Sequence, residues 1–232
     1  MKHISKLQFI TNNADTAELA CKGGVDWIQL RLKNVTYDAY KQEALRAQEV
    51  CKRYGATLII NDNARLALDI EADGVHVGKE DEMTPDDEAA LINGKYIIGR
   101  STNTIDDVKF FVSKPTSYLG LGPFRFTTTK EKLNPVLGLD GYRLILDRLK
   151  QANTTHPPII AIGGIILPDI VSLFTTGIYG IAVSGAIGNS GDVVSKAKAF
   201  KELVENPVPA TPTHVAGEDF INVITTALFA SL

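Results

Sequence analysis

Three cations and two carboxylates carry the chemistry that this chain of 232 residues offers most plainly. Arg31 and Lys33 stand two apart in "QLRLK", and Lys130 closes "TTTK". Asp62 follows Asn61 in "IIND", and Asp81 lies in "GKED". Arginine presents a planar fork to phosphoryl oxygens and lysine a point charge. Carboxylates beside such cations suit a divalent metal that bridges protein to polyphosphate, since Mg²⁺ is usually held by one or two carboxylates plus substrate oxygens and waters. Together the set reads as a magnesium pyrophosphate site. Taken singly, each residue reads as a solvated charge or a surface ion pair of little energetic weight. Two glycine-rich stretches, "AIGGI" at 161–165 and "AVSGAIGNSGD" at 182–192, add backbone N–H groups that can cradle a second phosphate.

For these residues to act together, the chain must bring them to one place. In "DWIQLRLKN", Gln29, Arg31 and Lys33 alternate with Ile28, Leu30 and Leu32, the period of a strand. Similar short apolar runs recur at 7–12, 27–33, 57–62, 74–78, 96–101, 118–123, 158–164 and 180–187. Segments with helical spacing follow each of them, the strongest from Tyr37 to Tyr54. Gly23, Gly55 and Gly177 close three of these segments and suit left-handed helix caps. Eight strand–helix units in this length predict an α/β fold, a (β/α)8 TIM barrel, with an open doubly wound sheet as the alternative. In a barrel the functional groups come from the C-terminal strand ends. Those ends hold Gln29, Arg31, Lys33, Asn61, Asp62, Ser101, Gly163, Gly164 and Ser184, with Asp81 just beyond the fourth strand and Thr127, Thr129 and Lys130 after the sixth.

Composition sets outer bounds. A content of 44% hydrophobic and 22% charged residues with no linker-like break favours one domain, assigned to residues 1–204. Residues 205–232 begin as a Pro-rich linker and form a C-terminal extension to which no role is assigned. The net charge of −3 and the absence of a basic run argue against nucleic acid. No apolar run approaches bilayer length and no signal peptide is evident, so no membrane partner and a cytoplasmic location are expected. Cys21 and Cys51 read as reduced, packed thiols. His76 alternates with Val75 and Val77 and reads as a packed strand residue, and His3, His156 and His214 have no metal-ligand spacing. A homo-oligomer is compatible with the sequence but not required by it.

The segments "QLRLK", "IINDNARLAL", "ADGVHVGKED", "IGRST", "YLGLGPFRFTTTK", "AIGGI" and "SGAI" together resemble the thiamine phosphate synthase family, over about residues 5–204. The resemblance implies a Mg²⁺-dependent transferase acting on two small molecules, a pyrimidine diphosphate and a thiazole phosphate. It implies that Gln29 and Ser101 contact the aminopyrimidine, that Arg31, Lys33, Asn61 and Lys130 hold its diphosphate, and that Asp62 and Asp81 ligate Mg²⁺. It further implies that Thr127, Thr129, Gly164, Ser184 and Gly185 hold the thiazole phosphate, and that no protein nucleophile is needed. Lys79 replaces a frequent Gln, Arg125-Phe126 a frequent Phe-Pro, and "VSGAI" a frequent V-S-A-I. The neighbouring alternatives are a thiazole tautomerase, which carries a His at the position of Pro123, and a non-catalytic thiazole-phosphate-binding barrel.

Overall fold

Runs of four to six residues rich in Ile, Val and Leu form eight strands, in keeping with the preference of branched side chains for a buried pleated surface. They are β1 (Leu7–Thr11), β2 (Trp27–Leu30), β3 (Thr57–Asn61), β4 (Gly74–Val77), β5 (Ile97–Thr102), β6 (Tyr118–Leu121), β7 (Ile159–Ile162) and β8 (Gly180–Val183). The structure is a computed structural model that describes residues 3–79, 83–126 and 135–207. Each strand pairs in parallel with the next, and β1 also pairs with β8 through Leu7↔Ile181 and Phe9↔Val183. That last pairing closes the sheet into a barrel and excludes the open doubly wound alternative.

Helices α1 (Ala14–Lys22), α2 (Tyr37–Tyr54), α3 (Ala64–Asp69), α4 (Pro85–Asn93), α5 (Ile105–Val112), α6 (Gly138–Gln151), α7 (Ile170–Phe174), α8 (Gly185–Gly188) and α9 (Val193–Glu205) alternate with the strands. Several start where a side-chain oxygen accepts an orphan backbone N–H. Asn13 caps α1, Thr36 caps α2, and Thr104 with Asp107 forms a reciprocal capping box on α5. Gly55 ends α2 at φ 66°, and Gly177 takes φ 93°. Gly23 has φ −79°, and the left-handed turn falls one residue later, on Gly24 at φ 91°. The eighth strand is shorter than its apolar run suggests: it stops at Val183, and the Ser184 carbonyl accepts from the N–H groups of Ile187 and Gly188 to open the helical turn α8.

Alternation along the strands separates two cores. Phe9, Ile28, Leu30, Leu58, Ile60, Leu119 and Leu121 face outward and pack with Ala44, Ala47, Leu66 and Phe200 of the helices. Ile10, Trp27, Ile59, Ile97, Tyr118, Ile160 and Ala182 fill the inside. Both faces of β2 are therefore buried, so the polar face of "WIQL" looks into the barrel rather than at water.

Two buried tyrosines tie the helix layer to the strand ends. The Tyr40 hydroxyl on α2 is shared between the carbonyls of Leu30 (2.7 Å) and Asn61 (3.0 Å), holding the C-terminal ends of β2 and β3 side by side. The Tyr142 hydroxyl on α6 donates to Leu121 at 2.5 Å. Burial pushes both hydroxyls above their ordinary pKa, so each keeps the proton it donates. Cys21 and Cys51 are free and buried, and burial raises the Cys21 thiol to about 12. Among the described residues no helix is long and apolar enough to cross a membrane.

Candidate active site

Backbone pairing continues past the strands just where the charged residues begin. The Arg31 N–H donates to Thr11 at 2.8 Å, which carries Arg31 one step beyond β2 at the rim of the barrel. Arg31 is half-buried and Lys33, two residues on, is exposed. Neither makes an ion pair among the described residues. Asn61 ends β3 with 5% of its surface exposed. The Asp62 N–H donates to His76 at 2.8 Å, which locks Asp62 at φ 62°, a left-handed conformation that non-glycine residues rarely adopt. This left-handed residue follows β3 at the same rim on which Arg31 follows β2. Its half-buried carboxylate is a hard oxygen donor of the kind Mg²⁺ takes, and it fits the metal role that the family resemblance implies. No group of three His, Cys, Asp or Glu side chains forms a metal cage among the described residues.

A chain of side-chain hydrogen bonds crosses the barrel interior below this rim. Gln29 Nε2 donates to Gln8 Oε1 (3.1 Å), and Gln8 Nε2 donates to the Tyr118 hydroxyl (3.1 Å). The Tyr118 oxygen lies 2.9 Å from His76 Nδ1, and His76 Nε2 lies 2.9 Å from Ser101 Oγ. Five strands contribute, and Gln8 and Tyr118 are 110 residues apart. The links can only run through the interior. The backbone is shaped around them: a Cβ at Gly99 would overlap the Tyr118 ring and sit 2.5 Å from His76 Nδ1. A Cβ at Gly120 would come within 3.1 Å of the His76 ring. Burial raises the Tyr118 hydroxyl far above its usual pKa against the opposing effect of the Gln8 and Gln29 amides, so it remains a donor.

On the opposite side of the mouth, the segment after β6 lies along the segment after β7. The Phe124 N–H donates to Ile162 (2.8 Å) and the Arg125 N–H to Gly163 (3.0 Å). The Arg125 guanidinium then grips Asp169 with two bonds of 2.8 Å and donates to the Gly164 carbonyl at 2.7 Å. Asp169 raises the Arg125 pKa in return. Gly164 has φ 68°, and a Cβ there would sit 2.6 Å from Arg125 Cγ, so both conformation and space require glycine. Ser184 follows β8, and the exposed Gly185 opens α8. Behind the mouth, Lys79 pairs with Asp107, whose carboxylate also accepts from the N–H groups of Asn103 and Thr104.

Gln29, Arg31, Asn61, Asp62, Ser101, Gly164 and Ser184 thus sit at or just past the C-terminal ends of five strands around one opening, with Lys33 further out. Asp81, Thr127, Thr129 and Lys130 lie outside the described residues. Gln8, His76 and Tyr118 join the site although none was singled out from the sequence as a functional residue. Their one visible sign is position: each occupies an inward register, and His76 pairs directly with Asn61. A cavity of about 510 Å³ opens at the other end of the barrel, lined by residues such as Asp26, Cys51, Gly55 and Asp73, and it shares no residue with this group.

Comparison with known proteins identifies the family. Residues 4–187 match the family model described as thiamine monophosphate synthase. The thiamine-phosphate synthase of Phocaeicola vulgatus is 51% identical over 205 residues, covering 85% of this chain and 97% of its own. That of Bacteroides fragilis is 44% identical over 203 residues, covering 85% and 98%. A solved thiamine phosphate pyrophosphorylase from Pyrococcus furiosus superposes with a TM-score of 0.75 at 29% identity, covering 88% of this chain and 96% of that one. The chain belongs to the thiamine monophosphate synthase family.

Proposed function

We propose that this barrel condenses an aminopyrimidine-methyl diphosphate with a thiazole phosphate, releasing pyrophosphate and thiamine phosphate. The observation that carries the reading is the convergence of an amide, two cations without an ion pair among the described residues, a carboxylate on a left-handed residue and a glycine cradle at the C-terminal end of one closed barrel. Gln29 and Ser101 hold the pyrimidine ring. Arg31, Lys33, Asn61 and Lys130 hold its diphosphate, and Gly164, Ser184, Gly185, Thr127 and Thr129 hold the second phosphate. Asp62 and Asp81 would hold Mg²⁺. When bound, the metal supplies positive charge that lowers the cost of freeing pyrophosphate.

The reaction asks little covalent work of the protein. The bond between the pyrimidine methylene carbon and the diphosphate oxygen breaks, and its electron pair leaves with pyrophosphate. The ring amino group feeds electron density to the resulting cation, and the thiazole nitrogen donates its lone pair to form the new carbon–nitrogen bond. Arg31, Lys33 and Lys130 stabilise charge on the leaving group in place, and the two binding sites hold the partners in line. The half-buried Pro123 offers neither acid nor base for the tautomerase alternative. Buried reduced cysteines and small charged substrates agree with a cytoplasmic setting.

The test is incubation of purified protein with both phosphorylated heterocycles, with and without Mg²⁺, followed by chromatography. Thiamine phosphate and pyrophosphate in equal amounts are expected only with the metal. Absence of both products with Mg²⁺ present overturns the reading.

A further inference from the structure

The interior chain from Gln29 to Ser101 has a direction. Gln29 donates to Gln8, and Gln8 in turn donates to the Tyr118 oxygen. With the Gln8 amide hydrogen on its oxygen, the phenol sends its own proton to its other hydrogen-bond neighbour, His76 Nδ1 at 2.9 Å. An imidazole that accepts at Nδ1 carries its proton on Nε2 and donates there. That donor faces Ser101 Oγ at 2.9 Å. Ser101 therefore accepts from within the barrel and keeps its hydroxyl hydrogen for whatever lies above. Gln29, whose N–H groups are turned inward, keeps its Oε1 as an acceptor. The two ends of the chain present opposite hydrogen-bonding characters to the mouth.

We propose that Tyr118 and His76 are positioning residues that fix this polarity, so that the site selects a pyrimidine edge bearing an amino group over one bearing an oxo group. The inference rests on the functional reading above, in which Gln29 and Ser101 hold the ring. An aminopyrimidine offers an amino N–H to Gln29 Oε1 and a ring nitrogen lone pair to the Ser101 hydroxyl. The oxo compound reverses both characters and sets two acceptors against each other at Gln29. The site cannot adapt by turning one group, because every member's other bond would break. Reversal needs both amides to flip, the phenol to rotate and the histidine to change tautomer together. A buried network satisfied in one direction resists such a change. Gly99 and Gly120 fit the same purpose, since their missing side chains make the room that His76 and Tyr118 occupy.

The cleanest test removes one oxygen. Tyr118→Phe keeps the ring packed edge-on against Trp27, at 4.8 Å between centroids, while freeing the Gln8 amide and His76 to choose either orientation. Affinities for the amino- and oxo-pyrimidine-methyl diphosphates and for thiazole phosphate are measured by titration calorimetry with Mg²⁺. Wild-type protein is expected to prefer the amino compound by about 100-fold, the order expected when a site built to hydrogen-bond meets a mismatched partner. In Tyr118→Phe that ratio falls about tenfold, with thiazole phosphate affinity unchanged. His76→Leu behaves likewise, and His76→Gln, which keeps one donor and one acceptor, retains more of the ratio. A ratio untouched in both Tyr118→Phe and His76→Leu overturns the relay alone, as does equal weakening of all three ligands, which is a purely structural effect. Wild-type protein that binds neither diphosphate sinks the functional reading, and the relay with it.

Discussion

Asp62 shows how one residue can be both a geometric oddity and a functional group. Its φ of 62° costs free energy that only a fixed backbone maintains, and its N–H bond to His76 is that fixture. Asn tolerates the same conformation, so Asp62→Asn is expected to melt within about 1 kcal/mol of wild type. Its turnover should fall by about 100-fold or more, with partial recovery at high Mg²⁺. Asp81→Asn should do the same. Near-normal rates at limiting Mg²⁺, with a normal melting curve, would remove either carboxylate from the metal role. Taken singly, the cations and carboxylates read as surface charges; it was their recurrence at the ends of successive strands that made them, with the glycines, candidates for one site. Gln8, His76 and Tyr118 escaped notice for the opposite reason. A lone His or Tyr in an apolar run is ordinarily a packed residue, and nothing local reveals that five strands bring these side chains into one line.

At the scale of elements, the segment after β6 is held less by its own turns than by its neighbour. Arg125 spans 44 residues of sequence to grip Asp169, and it occupies a position where the family often has a different pair. The guanidinium side chain is 44% exposed, so the pair adds only about 0.5–1 kcal/mol to stability. Its larger effect is on position, because the same guanidinium holds the Gly164 carbonyl. Arg125→Ala is expected to raise KM for thiazole phosphate about tenfold, leaving KM for the pyrimidine diphosphate unchanged. Arg125→Lys should restore little, since an ammonium cannot make the bidentate grip. Equal changes in both KM values in steady-state assays would show that the latch serves the whole fold and not the second phosphate. Element types were readable because the period of two and the longer helical spacing alternate eight times. Boundaries were less so: the apolar run 180–187 conceals a switch from strand to helical turn at Ser184, which a carbonyl accepting two N–H groups decides and hydrophobicity does not record.

The whole molecule is defined by the pairing of its first strand with its last. Leu7 lies opposite Ile181, the Tyr179 hydroxyl donates to the Ile4 carbonyl at 2.6 Å, and α1 packs on α9. Among the described residues, α9, which ends at Glu205, is the last element packed on the barrel. A chain ending at Pro207 keeps every described strand and helix, and it is expected to melt cooperatively and retain kcat/KM within about twofold. A loss of activity beyond tenfold in the shortened enzyme would give the extension a catalytic part. Closure also bears on how the protein is made. On the ribosome β1 emerges first, and its outer edge must wait for β8, some 170 residues later. Until then the nascent barrel has two open, apolar edges, the kind of surface that pairs with other chains. The same register that leaves the finished molecule without a free edge makes its final strand the step on which escape from aggregation depends.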